Sequence, residues 1–111
     1  MAVSKQAEEQ IRQLQMFEQS LQNLMLQKQN FQAQLIEAES ALNELKTNKD
    51  AFKIIGSIMV SADPGALKNE LEEKKNRLEL RIKNLEKQEQ RIREKTQKLQ
   101  QEVMEQIKES D

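Results

Sequence analysis

Ten lysines and arginines lie between Lys74 and Lys98 against four glutamates, the one stretch of this chain whose charge could engage phosphates. A nucleic-acid-binding arm of this kind would lose affinity steeply with salt and would use aromatic rings for base stacking. The only aromatic residues are Phe17, Phe31 and Phe52, all outside the stretch, and the chain as a whole carries a formal charge of −1. Within it and just before it, five glutamates stand four residues before a cation: Glu70/Lys74, Glu73/Arg77, Glu79/Lys83, Glu89/Arg93 and Glu94/Lys98. That order favours side-chain pairing along a helix. The basic stretch is therefore expected to be a solvated, ion-paired helix face, and no nucleic-acid partner is assigned to it.

Bond-making chemistry has less to work with. The chain contains no His and no Cys, which removes imidazole bases, thiolate nucleophiles, disulfides and the usual zinc ligands together. No GxxxxGK loop is present to cradle nucleotide phosphates. The expectation is a protein that is not an enzyme and carries no cofactor or metal. No segment approaches the ~18 continuous apolar residues of a membrane span, and Met1-Ala2-Val3-Ser4-Lys5-Gln6 lacks the apolar core of a secretory signal. A soluble, cytoplasmic protein is expected, with no membrane partner.

The elements that organise the chain are visible in its breaks. Both glycines and the only proline fall between residues 56 and 65, with a long polar stretch on either side. With 36% apolar and 33% charged residues, 111 residues supply too little hydrophobic material for an ordinary globular core. Helices packed in pairs remain. In the first arm, Leu14, Phe17, Leu21, Leu24, Lys28, Phe31, Leu35, Ala38, Leu42 and Leu45 step alternately by three and four residues, the signature of a coiled-coil seam. In the second, Leu71, Leu78, Leu85, Ile92, Leu99 and Gln106 repeat every seven, with Ile82, Glu89, Thr96 and Val103 as companions. If the arms are level at their connection, Lys28 should lie close to Glu89 in the antiparallel pair, a polar layer able to set register. Arms of about 44 residues would reach on the order of 65 Å at ~1.5 Å per residue.

Between the arms, residues 51–61 read as a β-hairpin. Gly56-Ser57 separates two β-branched runs, and glycine at the first central position accepts the positive φ of a type II′ turn. One face would carry Phe52, Ile54 and Met59, the other Ile55, Ile58 and Val60 with Lys53. Burying six such side chains is worth ~1.5–3 kcal/mol each, whereas a lone hairpin is marginal and leaves two open edges. Other hairpins completing a sheet or barrel would cover both faces and remove the edges. The alternative is a connector that folds back onto its own helices. Asp63-Pro64 marks the start of the second helix, with Asp63 as N-cap and Pro64 at the first helical position. The expected fold is mainly α: helix 1 over about 4–48, hairpin over about 51–61, helix 2 over about 64–109, in a single domain spanning 1–111.

Helix, single β-hairpin, helix resembles the beta-class subunit of prefoldin. Phe52-Lys53-Ile54-Ile55-Gly56-Ser57-Ile58-Met59-Val60 is similar to that family's hairpin. Leu71-Glu72-Glu73-Lys74 and the run from Leu78 to Glu89 resemble the second helix of archaeal beta subunits. Asp63-Pro64-Gly65-Ala66 departs from the family as a more turn-like lead into that helix. The resemblance implies a hetero-hexamer of two alpha-class and four beta-class chains, its hairpins forming a β-barrel platform from which the coiled coils hang. It implies an ATP-independent holdase that grips non-native polypeptides at the coiled-coil tips and passes them to a group II chaperonin. On that reading Phe52, Ile54, Ile55, Gly56, Ile58, Met59 and Val60 form the assembly hairpin. Val3, Ile11, Met16, Met104 and Ile107, at the chain-terminal ends of the arms, would contact clients, methionine being suited to promiscuous surfaces. Ile11 and Ile107 stand beside the seam and could instead widen it. The competing function is a structural or adaptor coiled coil with no affinity for unfolded chains, for which a two-faced apolar hairpin has no use.

Overall fold

The structure, a computed structural model, describes residues 4–109. Four elements follow in order: α1 (Lys5–Leu45), β1 (Ala51–Ile55), β2 (Ile58–Ala62) and α2 (Pro64–Glu109). The chain divides into two compact units, one of Met1–Lys28 with Asn84–Asp111 and one of Gln29–Lys83.

Each helix boundary has a local cause. Ser4 caps α1, its Oγ accepting from the Ala7 amide at 3.1 Å and its carbonyl from Glu8 at 3.0 Å. At the other end α1 stops at Leu45, short of the expected 48. There the amides of Lys46 and Thr47 donate to the carbonyls of Asn43 and Glu44, three residues back, and the helix unwinds through a turn. Asp63 caps α2 as its sequence context predicts: Oδ2 accepts from Ala66 at 3.0 Å, the carbonyl from Leu67 at 2.9 Å, and Pro64 takes the first helical position.

The unit of Gln29–Lys83 holds the hairpin. Its register is Ala51 opposite Ala62, Phe52 opposite Ser61, Lys53 opposite Val60, Ile54 opposite Met59 and Ile55 opposite Ile58. Gly56 has φ 63° and Ser57 a negative φ, so only the first central residue is left-handed, as a type II′ turn requires. In this unit Ala38, Ala51, Leu78 and Ile82 are buried, while Phe31, Leu35, Leu42, Leu45, Leu67 and Leu71 are half-buried.

In the unit of Met1–Lys28 with Asn84–Asp111, the two helical segments run antiparallel. Gln10 Nε2 donates to Glu102 Oε2 at 3.4 Å, and Lys28 Nζ sits 3.0 Å from Glu89 Oε1. Leu24, Leu85 and Val103 are buried, and Leu14, Phe17, Leu21, Ile92, Thr96 and Leu99 half-buried, all seam positions read from spacing; Ala7, which the spacing did not include, is buried as well. Thr96 resolves its polarity within its own helix by donating to the Ile92 carbonyl at 2.7 Å.

The polar layer expected from register is present. The Lys28 ammonium reaches Glu89 Oε1 out of line with a hydrogen bond, and Arg93 lies 3.9 Å from the second carboxylate oxygen. Glu89's side chain is only 12% exposed, so the cation opposite it is what makes its burial tolerable. Lys28→Ala is expected to lower stability by about 1–3 kcal/mol, because it strands a shielded carboxylate. Lys28→Leu with Glu89→Leu should raise the thermal midpoint, since apolar replacement of both partners is often stabilising by ~1–4 kcal/mol. Thermal denaturation followed by circular dichroism checks both; a double variant that melts lower than Lys28→Ala would rule out the register layer as a stability cost.

The ion-paired face expected along residues 70–98 is largely not formed. Of the five glutamate-before-cation pairs, only Glu89/Arg93 comes within ion-pair distance, and a pair of the opposite order, Lys75/Glu79, forms at 4.0 Å. Glu70 is held instead by Lys53 of the hairpin, at 2.8 and 3.0 Å from its two oxygens. Exposed i,i+4 pairs are worth only a few tenths of a kcal/mol, so a competing partner or solvent displaces them readily.

Candidate functional site

Alternation along the strands puts cross-strand partners on a common face. One face of the hairpin therefore carries Phe52, Ile54, Met59 and Ser61; the other carries Ala51, Lys53, Ile55, Ile58, Val60 and Ala62. Ala51 and Ala62, at the base of the second face, are shielded, and Lys53 leans toward α2 to bridge Glu70. The large apolar side chains are not covered by their own helices: Phe52, Ile54, Ile55, Ile58 and Met59 are 58–69% exposed and Val60 38%. A connector that folds onto its own arms, the alternative left open by the sequence, would have hidden one of these faces. Gly56 at the tip has nothing within 4 Å of where a Cβ would stand, so its role is backbone conformation and not close packing.

This is a surface of six adjacent apolar side chains on two strands, both of whose outer edges are unpaired. Such edges accept further strands, and such faces are stable in water only when something covers them.

The second candidate surface lies at the chain-terminal ends of the helices. Met16 and Met104 are 62% and 63% exposed, and Ile11 and Ile107 are exposed at 37% and 45%. Val3 lies outside the described residues. The neighbouring seam position Val103 is buried at 6%, which separates the packing residue from the surface ones within one helical turn. Met25, Leu26, Ile36 and Leu80 also stand exposed on the helix surfaces, Met25 beside Leu26 in the sequence. Among the described residues no helix is long and apolar enough to cross a membrane, and no cluster of acidic side chains could hold a metal ion.

Two contacts had no counterpart in the sequence reading. The Lys53–Glu70 bridge joins residues 17 apart, a separation that carries no periodic signal. Arg81 stands over the Phe31 ring at 5.5 Å from its centroid, a cation–π contact between two helices that depends on their register.

Two antiparallel helical segments joined through one exposed apolar hairpin define a helix–hairpin–helix class of coiled-coil subunit. Residues 8–110 match the family described as prefoldin subunit. The chain is 35% identical over 80 residues to prefoldin subunit beta of Methanothrix thermoacetophila, covering 69% of this chain and 67% of that one. With prefoldin subunit beta of Pyrococcus furiosus it shares 36% identity over 83 residues, covering 72% and 71%. The crystal structure of the prefoldin beta subunit from Thermococcus strain KS-1 superposes with a TM-score of 0.87 at 31% identity, covering 94% of both chains. The chain belongs to the prefoldin family of chaperone subunits.

Proposed function

We propose that this chain is a beta-class subunit that, with alpha-class partners, forms a hexamer of two alpha and four beta chains and holds non-native polypeptides without ATP for delivery to a group II chaperonin. The observation that carries the proposal is the hairpin: a beta-type prefoldin fold whose connector leaves six large apolar side chains uncovered on two faces. Hairpins of neighbouring subunits would pair with its edges and close a barrel over those faces, removing apolar surface from water. Met16, Met104, Ile11 and Ile107, with Val3 beyond the described residues, form the client surface on this reading. Ile11, Met16, Met104 and Ile107 are exposed, the two methionines are unbranched and readily repacked, and glutamines and glutamates nearby in the sequence keep the surface solvated. The work is binding and release with no bond made or broken, and its setting is the cytoplasm.

Native mass spectrometry of the chain alone and after mixing with an archaeal prefoldin alpha subunit tests the assembly. A six-chain species that forms on mixing, and that suppresses aggregation of a chemically unfolded client, is the expected result. A two-chain species indifferent to the partner and inert toward clients would replace the proposal with the adaptor coiled coil.

A further inference from the structure

In the unit of Gln29–Lys83, Lys74, Arg77 and Arg81 border a recess of about 180 Å³ whose remaining walls are Phe31, Gln34 and Leu78. Leu78 is 5% exposed and gives the recess an apolar floor. The three cations are exposed, and none has a carboxylate within ion-pair distance among the described residues. Glu70, one turn before Lys74, is engaged by Lys53 from the hairpin at 2.8 and 3.0 Å from its two oxygens. Glu73, in the same relation to Arg77, makes no ion pair with it. Arg81 is oriented by the Phe31 ring beneath it, so its guanidinium is held at the rim with its charge unspent.

We propose that this recess is a docking site for an acidic, extended segment of a non-native polypeptide, a second contact that rests on the holdase reading and lies apart in sequence from the helix-end surface. The spacing suits such a segment. Successive cations at three and four residues rise about 4.5 and 6 Å along the helix. Same-face side chains of an extended strand recur at about 6.6–6.8 Å, so glutamates at alternate positions can meet neighbouring cations in turn. Guanidinium forks match carboxylates in geometry, and the floor between Phe31 and Leu78 admits one apolar side chain of the same segment. A single-stranded nucleic acid has similar charge spacing but gains its affinity from stacking, and the one ring here is half-buried and already capped by Arg81.

The test is fluorescence anisotropy of a labelled, unstructured peptide with alternating glutamates, titrated with the full-length chain, beside its glutamine counterpart and a labelled oligothymidylate. The acidic peptide is expected to bind at low salt and weaken as salt rises, and the glutamine version to bind at least tenfold more weakly. Lys74→Gln with Arg77→Gln and Arg81→Gln should weaken the acidic peptide at least tenfold with the helical circular dichroism unchanged at the assay temperature, although loss of the Arg81–Phe31 contact lowers the melting point slightly. Arg91→Gln with Lys95→Gln and Lys98→Gln removes the same charge from α2 elsewhere and should leave binding within about twofold. Equal losses from both triple variants, no binding by the native chain, or tighter binding of the oligothymidylate with the same dependence on Lys74, Arg77 and Arg81 would each overturn the proposal. Suppression of aggregation of a client without acidic stretches should be the same for six-chain complexes assembled with an alpha-class subunit from the native chain and from the recess variant. Failure of the native complex there would overturn the holdase reading and leave peptide binding at the recess to be judged by the titration.

Discussion

Ile55→Asp combined with Ile58→Asp is expected to eliminate the six-chain species in mixtures with an alpha-class subunit. The two isoleucines face each other directly across the turn, on one face of the hairpin and 60% and 63% exposed in the single chain. If neighbouring hairpins cover that face, each native side chain contributes ~1.5–3 kcal/mol of burial. Losing both weakens association by roughly 10²–10⁴-fold before any penalty for an unpaired buried charge is counted. The carboxylates would also repel one another across the strands, so Ile55→Thr with Ile58→Thr is the companion variant that keeps β propensity without charge. Both variants should keep the helical circular dichroism of the native chain, because neither residue packs on the helices. A hexamer of unchanged affinity from the aspartate variant, measured by native mass at falling concentration, would remove the hairpin from the assembly and with it the platform.

Removal of residues 1–16 together with 103–111 should have the opposite pattern. The hairpin, the Lys53–Glu70 bridge and the Lys28/Glu89 layer all remain, so the mass of the mixed complex should fall only by the weight of the deleted segments. Client protection should be lost, because Ile11, Met16, Met104 and Ile107 go with the deletion. Some stability goes too, since Ala7 and Val103 are buried seam residues in the deleted segments. The comparison is therefore made well below the lowered melting temperature. To separate surface from seam, Met16→Gln with Met104→Gln alters two side chains that are more than 60% exposed and spares every buried residue. Aggregation of an unfolded client followed by light scattering gives the readout, and full protection by the truncated complex would move the client site elsewhere.

What could be read from the residues alone follows from how each signal is encoded. The seam was legible because leucine, isoleucine and phenylalanine recur at heptad spacing, and the position of Lys28 opposite Glu89 followed from counting outward from the connector. The hairpin register was legible because Gly56-Ser57 fixes the turn and the turn fixes every pair beyond it. Gln10, Leu67 and Lys75 are shielded to a degree no pattern announced, two of them because polar residues carry no apolar period. The ion-paired face was misread for a related reason. Helical spacing says which charges are neighbours but not which carboxylate a residue from another element will take, and Lys53 takes Glu70. The end of α1 was blurred because residues 46–50 contain neither glycine nor proline, so only the hydrogen-bond pattern marks where the helix gives out. Exposed methionines and isoleucines at helix ends are individually ordinary, and their number is too small to mark a binding surface by composition.

The Lys28/Glu89 layer also says something about exchange between molecules. Because α1 supplies the cation and α2 the anion, α1 against another α1 would set ammonium against ammonium, and α2 against another α2 carboxylate against carboxylate. Like helices are thereby discouraged from pairing. The layer is blind, however, to whether its two halves come from one chain: α1 of one copy against α2 of another would restore the same contact at the same depth. What favours partnership within a single molecule is the two-residue turn at Gly56-Ser57, which holds β1 and β2 side by side. Replacing Gly56 by a residue that resists its positive φ would favour an opened, extended hinge, leave every seam contact available and remove the feature that assigns each contact to its own chain, a known route to swapped dimers.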